Sequence, residues 1–150
     1  MRTLPISAVA GPQLSARQLH DLLRLRVDIF VVEQDCPYHE IDGRDLLATT
    51  EHLWMSDDQG VAASVRVLDD TVGRRIGRVV TRADVRGAGL SSALIEVALE
   101  RIGDDTAVLD AQAHLQEFYG RFGFEGIGDV FDEDGIPHRT MLRRSSSEAG

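Results

Sequence analysis

Two hydrophobic periods alternate along the chain. Stretches with apolar residues at every second position are interleaved with stretches where they recur every 3.6 or so. That alternation predicts a domain mixing strands with amphipathic helices. Thr3 to Val9 reads as a first strand, broken by Gly11 and Pro12. Ser15 and Gln18 have the spacing of a capping box, and Leu19, Leu22, Leu23 and Val27 continue along one helical face. Ile29-Phe30-Val31-Val32 closes that helix or opens a buried turn, and the acidic run from Tyr38 to Thr50 reads as a solvated loop or short helix. Glu51 to Met55 and Val61 to Leu68 are strands flanking the hairpin signal Asp57-Asp58-Gln59-Gly60. Ile76 to Thr81 is a further strand, Val85 to Gly89 a glycine-containing turn, and Leu90, Ala93, Leu94, Val97 and Ala98 form a helical stripe. Ala107 to Ala111 reads as a strand and Leu115 to Phe122 as a short helix. Glu125 to Phe131 and His138 to Leu142 then flank Asp132-Glu133-Asp134-Gly135, whose Asp-Gly pair is a strong hairpin signal. The predicted order is β-α-(α)-β-β-β-α-β-α-β-β.

Composition narrows the classes. The 150 residues suit one domain, expected over 1–144 with a frayed polar tail at 145–150. Hydrophobic residues make up 43% and charged residues 27%, as in an ordinary globular domain rather than a disordered one. No apolar run approaches the roughly 20 residues that span a bilayer, and the first thirteen residues are too short and polar for a secretory signal. The net charge of −9 disfavours nucleic acid as a partner and leans toward a cationic one. A single cysteine, Cys36, forms no internal disulfide and supplies no cysteine-based zinc site, so a cytoplasmic protein is expected. All 16 basic residues are arginine, which excludes a lysine Schiff base and a lysine-dependent phosphate loop. His39-Glu40-x-Asp42-x-x-Asp45 lacks the spacing of zinc or calcium motifs, and no metal is expected.

The most informative stretch runs from Ile76 through Arg86-Gly87-Ala88-Gly89-Leu90-Ser91 into the helical stripe. A glycine-rich turn at a helix start leaves backbone N–H groups at the positive end of the helix dipole, which suits a phosphate or pyrophosphate. Gly87 and Gly89 allow close approach, and Arg86 adds a cation. A P-loop needs a lysine that the chain lacks, and a dinucleotide fingerprint needs glycine where Ser92 stands. An acyl-CoA site and an ordinary glycine-rich helix start both remain.

Arg86-Gly87-Ala88-Gly89-Leu90-Ser91 resembles the CoA-binding motif of the GNAT family of N-acetyltransferases, Arg/Gln-x-x-Gly-x-Gly/Ala, and departs from it at Ser91. One helix and one strand later, Gln112 to Phe124 has the spacing of that family's Asn-x-x-Ala-x-x-x-Tyr-x-x-x-Gly-Phe, matching at Tyr119, Gly123 and Phe124, with Gln112 for Asn and Leu115 for Ala. Phe30 to Gln34, Cys36-Pro37-Tyr38, Ile41-Asp42-Gly43, Ala111 to Leu115 and Glu133 to His138 together resemble the ElaA-type subgroup. The resemblance spans nearly the whole chain, from the first helix to Arg143.

It implies a mixed α/β fold: a mostly antiparallel sheet, splayed in the middle, with helices on both faces. It also implies acetyl transfer from acetyl-CoA directly to an amine of a small molecule or peptide, by a monomer or homodimer. The pyrophosphate would sit on the N–H groups of Arg86, Gly87, Ala88, Gly89, Leu90 and Ser91. The pantetheine arm would lie along Val79 and Val80, near a strand bulge whose N–H stabilises the oxyanion, with Gln112 opposite. Tyr119 would be the general acid for the departing thiolate; its other reading is a packing aromatic among Phe118, Phe122 and Phe124. Glu33 is the first candidate base and His114 another, with His52 and His138 beside them. Glu33 could equally pair with an arginine, and each histidine could be structural. Two alternatives stay open: a longer acyl donor on the same fold, and a CoA-binding sensor without turnover.

Overall fold

A computed structural model describes residues 4–145. Thr3 of the expected first strand and residues 146–150 of the expected tail lie outside the described residues. Seven strands form one sheet: β1 (Ile6–Ala10), β2 (Glu51–Asp57), β3 (Gly60–Asp70), β4 (Gly73–Thr81), β5 (Ala107–Gln112), β6 (Glu125–Glu133) and β7 (Ile136–Arg143), in the spatial order β1-β2-β3-β4-β5-β7-β6. Every neighbouring pair is antiparallel except β4 and β5, which run parallel.

That parallel pair is short. It joins only at Arg74–Ala107 and Arg75–Val108, and beyond these points the strands part. A bulge accounts for the divergence. Ser64 and Arg66 of β3 face Val80 and Gly77 of β4, so one extra β4 residue is looped into that interval. Arg78 lies in the interval with φ of +51°, a left-handed conformation that a side-chain-bearing residue holds only where its surroundings enforce it. A bulge bends its strand, and here it turns the end of β4 away from β5.

The helices lie on both faces. α2 (Leu90–Ile102) buries Leu94, Ile95, Ala98 and Ile102 against Leu53, Val65, Val67, Ile76 and Leu109. α3 (Gln116–Gly120) adds Tyr119 to the same core. α1 (Ala16–Arg26) covers the other face, and its continuation places Ile29 and Phe30 with Leu25 against Val80. Because both faces are covered, β3 is buried without interruption from Ala62 to Leu68 instead of alternating.

Local signals act as expected at several points. Ser15 Oγ accepts from the Gln18 N–H at 3.0 Å while the Gln18 side chain accepts from the Ser15 N–H at 2.9 Å, a complete capping box. Asp134 and Gly135 carry φ of +52° and +83°, the signature of a type I′ turn joining β6 to β7.

Three expectations need correction. The segment after α1 is neither a simple helix end nor a turn: Val27–Glu33 widens into a π-helix, with Gln34 N–H donating to the Ile29 carbonyl at 3.0 Å. β3 and β4 run further than their apolar runs, meeting in a hairpin whose Asp69 and Asp70 hold Arg74 and Arg75 at 2.6 and 2.8 Å. The acidic segment after Tyr38 is irregular, but it is not solvated throughout. Glu40 and Asp45 are buried against arginines from three different elements.

Candidate active site

The turn from β4 into α2 is built for close backbone approach. Arg82 anchors its start, donating to Asp57 and to Asp84. Ala83–Val85 makes one 3-10 turn, after which Arg86 is extended and Gly87 and Gly89 take φ of +86° and +80°. These left-handed values, rather than crowding, require glycine: a Cβ at either position would meet nothing within 4 Å. The first α2 bond runs from the Ala93 N–H to the Gly89 carbonyl at 3.1 Å, so the amides of Leu90, Ser91 and Ser92 precede the ladder and point out of the helix end. Ser91 Oγ lies 2.5 Å from Thr81 Oγ1, which ties its side chain back to β4. Serine at this glycine-preferring position thus has a local partner.

Arg86 is fully engaged. Its Nε donates to the Thr81 carbonyl at 3.2 Å, and its two terminal nitrogens hold Glu33 in a bidentate pair at 2.5 and 2.7 Å. That contact holds the Glu33 carboxyl below the usual carboxylate range.

β4 leads from this turn back into a cleft of about 710 Å³ at the parting of β4 and β5. Val79, Arg78, Gln112 and Tyr119 all line it. Tyr119 is 7% exposed and packs edge-on against Phe118 and Phe124, with ring centres 5.0 and 6.3 Å away. Burial pushes its phenol up to about 12. On the α1 side the cleft is strongly charged. Arg75 bridges Asp70 at 2.8 Å and Asp110 at 2.9 Å, and Thr140 donates to Asp110 at 2.7 Å. His138 lines the same wall.

Beside the cleft lies an ionic network. Arg26, 2% exposed, binds Glu40 and reaches Asp45 at 2.6 Å; Arg66, 3% exposed, chelates Asp42 at 2.8 and 2.9 Å and reaches Asp45 at 3.2 Å. Arg78 at the bulge donates to Glu40 at 2.7 Å and stacks over Tyr38, whose hydroxyl also bonds Glu40. Burial works against the charge on Asp42 and Asp45, but the arginines outweigh it and hold both carboxyls below their ordinary range. The network fastens the strained bulge residue to the segment from 38 to 45. No sequence signal marked it, because its ion pairs join residues 14 to 38 positions apart.

The expected site residues are thereby sorted. Val79, Gln112 and Tyr119 meet in the cleft, and residues 86–91 form the turn that β4 enters. Val80 turns its side chain away into the α1-side core, so only its backbone is available to the β4 edge. Glu33 and His114 are not among the residues lining the cleft. His52 is buried, its Nε2 2.9 Å from the Asp45 carbonyl, and burial holds its pKa down. Among the described residues there is no group of three or more His, Cys, Asp or Glu side chains able to hold a metal, and no helix long and apolar enough to cross a membrane.

A family model described as an acetyltransferase (GNAT) domain matches residues 26–144. The chain belongs to the GNAT family. Within it, the relatives are of ElaA type. The crystal structure of Escherichia coli ElaA superposes on this GNAT chain with a TM-score of 0.89 and 38% identity, covering 95% of this chain and all of that one. An acyl-CoA N-acyltransferase from Pseudomonas aeruginosa also gives 0.89, at 42% identity over 94% of this chain and 99% of that one. A UPF0039 protein of Mycobacterium tuberculosis is 46% identical over 97% of both chains. Membership places the chain among acyl- and acetyltransferases.

Proposed function

We propose that this chain moves an acetyl group from acetyl-CoA directly to an amine acceptor, with both held in one ternary complex. One observation carries the reading: β4 runs from the cleft, where β5 leaves its edge free and the buried Tyr119 lines the wall, directly into the turn whose amides precede the α2 ladder. The amides of Arg86, Gly87, Ala88, Gly89, Leu90 and Ser91 would take the pyrophosphate. The backbone of Val79 and Val80 would pair with the pantetheine arm, as β5 no longer does, and Gln112 would hold it from the opposite strand. The bulge at Arg78 releases backbone N–H groups from the ladder close to where the thioester carbonyl would lie, which supplies an oxyanion donor.

A raised phenol pKa keeps Tyr119 protonated at neutral pH. The hydroxyl therefore donates to the sulfur as negative charge develops there and delivers its proton as the carbon–sulfur bond breaks. Asp42, Asp70, Arg75, Arg78, Asp110 and Glu133 give the cleft a charged wall that suits a polar acceptor.

Calorimetric titration with acetyl-CoA, CoA and octanoyl-CoA, with NADH and ATP as controls, tests the donor. Thiol release with putrescine, spermidine, tyramine and a lysine-containing peptide tests the acceptor class. Micromolar binding of acetyl-CoA and amine-dependent thiol release are expected. Much tighter binding of octanoyl-CoA would establish the longer donor instead, CoA binding without thiol release from any amine would indicate a sensor, and no CoA binding would sink the proposal.

A further inference from the structure

We infer that His138 is the base that takes the proton from the attacking amine, working from the face of the sheet opposite Tyr119. The inference rests on the acetyl-transfer reading above and assigns the group that reading leaves open.

Strand register sets the two sides. β5 and β7 pair without interruption from Ala107–Arg143 to Gln112–His138. Leu109 and Met141 are partners in that ladder and point into the core that contains α2 and Tyr119. Alternation therefore sends Asp110 with Thr140, and Gln112 with His138, to the other face. The Thr140–Asp110 hydrogen bond at 2.7 Å is made on that side. His138, on β7, pairs with Gln112 at the end of β5, where β5 has parted from β4, and it lines the same cleft as Tyr119. Direct transfer needs this arrangement: the thioester lies in the opening, its sulfur is served from one face, and the amine arrives from the other.

The hydrogen bonds of the ring decide which nitrogen is free. Nδ1 lies 2.7 Å from the Ile136 carbonyl oxygen. A carbonyl only accepts, so Nδ1 carries the hydrogen and the neutral ring presents a bare Nε2. Nε2 is 3.6 Å from a carboxylate oxygen of Glu133, too far for a hydrogen bond. Two acceptors thus face each other with no proton between them, and a proton arriving on Nε2 gives Glu133 a partner. Phe131 lies offset beside the ring, with centroids 6.1 Å apart and 27° between the planes. The other candidates are placed less favourably: Glu33 is clamped by Arg86, His52 is buried on the Asp45 carbonyl, and His114 stands outside the lining of the cleft.

In the step itself, the lone pair of a neutral amine forms the nitrogen–carbon bond at the thioester carbonyl, and the nitrogen gives one proton to His138 Nε2. The carbon–sulfur bond then breaks, its electron pair goes to sulfur, and Tyr119 protonates the thiolate. Solvent returns a proton to Tyr119 and takes one from His138. The amine N–H has been exchanged for an amide bond, and CoA leaves as the thiol.

The test uses two variants and one measurement that needs no acceptor. With whichever amine of the panel the wild type acetylates fastest, His138→Gln should lower kcat by roughly 100-fold or more while acetyl-CoA binding measured by calorimetry stays unchanged. Added imidazole should restore His138→Ala by at least about tenfold, since an external ring can occupy the vacated space. A kcat within about threefold of wild type, or a loss that imidazole does not restore, overturns the assignment. Independently, nitrogen NMR of the histidine-labelled protein should find His138 as the Nδ1–H tautomer, and an Nε2–H tautomer overturns it. Failure of the wild type to bind CoA would be a failure of the acetyl-transfer reading, which the tautomer readout does not share.

Discussion

The ring of Tyr119 is buried in the wall of the cleft, at right angles to its neighbours Phe118 and Phe124, and that burial is what raises its pKa. Tyr119→Phe keeps the ring and removes only the proton donor. Thiol release should fall by roughly 100-fold or more, with CoA affinity unchanged by calorimetry; an unaltered rate would remove Tyr119 from the chemistry. Because ionisation is pushed up to about 12, the rate should show no alkaline descent from this group below about pH 10. Arg86 and Glu33 support a second expectation. Glu33 holds the Arg86 guanidinium, a cation beside the amides that would take a pyrophosphate, so Glu33→Gln should tighten CoA binding by roughly two- to fivefold while leaving acetyl-pantetheine binding unchanged. Weaker CoA binding would mean that Glu33 orients Arg86 instead of competing for it. Arg86 and Tyr119 were readable from short motifs, because their spacing is local. The engagement of Glu33 was not, since its partner is 53 positions away.

The segment from Tyr38 to Thr50 has no regular secondary structure, yet it is one of the best-anchored parts of the molecule. Arg26 of α1, Arg66 of β3 and Arg78 of β4 converge on Glu40, Asp42 and Asp45. The three positive and three negative charges balance, and removal of one member leaves a buried charge uncompensated. Asp45→Asn should therefore cost about 3–5 kcal/mol, read as a lower urea midpoint, whereas Arg17→Ala at an exposed position of α1 should be nearly silent. A loss under about 1 kcal/mol for Asp45→Asn would show that the network is more hydrated than its burial suggests. The sequence pattern supplied the polarity of this segment and misjudged its environment. Acidic residues read as solvated until arginines from other elements are brought onto them, and the bulge carrying Arg78 has no local sequence mark beyond a glycine one position before it.

Acid should unfold the molecule in two stages. Burial holds His52 below its ordinary value of 6.5, so the unfolded chain binds a proton that the folded one refuses. Its contribution is complete above 6.5 and declines as pH falls below that value. Asp42, Asp45 and Asp70 are held below 3.8, so their contributions persist above that value and vanish as pH falls through it toward their folded values. The urea midpoint should thus be level near pH 7, drift down below about pH 6.5, and collapse below about pH 4. His52→Gln should abolish the first decline only, and a midpoint unchanged from pH 7 to 4 would contradict the assignment.

By itself the sequence determines what depends on near neighbours: the strand and helix periods, the capping box at Ser15, the Asp134-Gly135 turn, and the glycine turn at the start of α2, whose left-handed angles only glycine adopts cheaply. Motif spacing adds the family, because Gln112 and Tyr119 stand at a fixed distance along one short segment. Tertiary structure alone decides which charges are paired, which histidine lines the cleft with its Nδ1 committed to a carbonyl, and where β4 and β5 part. Those outcomes depend on contacts between residues tens of positions apart and on the burial that such contacts create. Neither period nor propensity encodes them, since the free energy of a buried ion pair or a committed ring nitrogen exists only once the partners have been brought together.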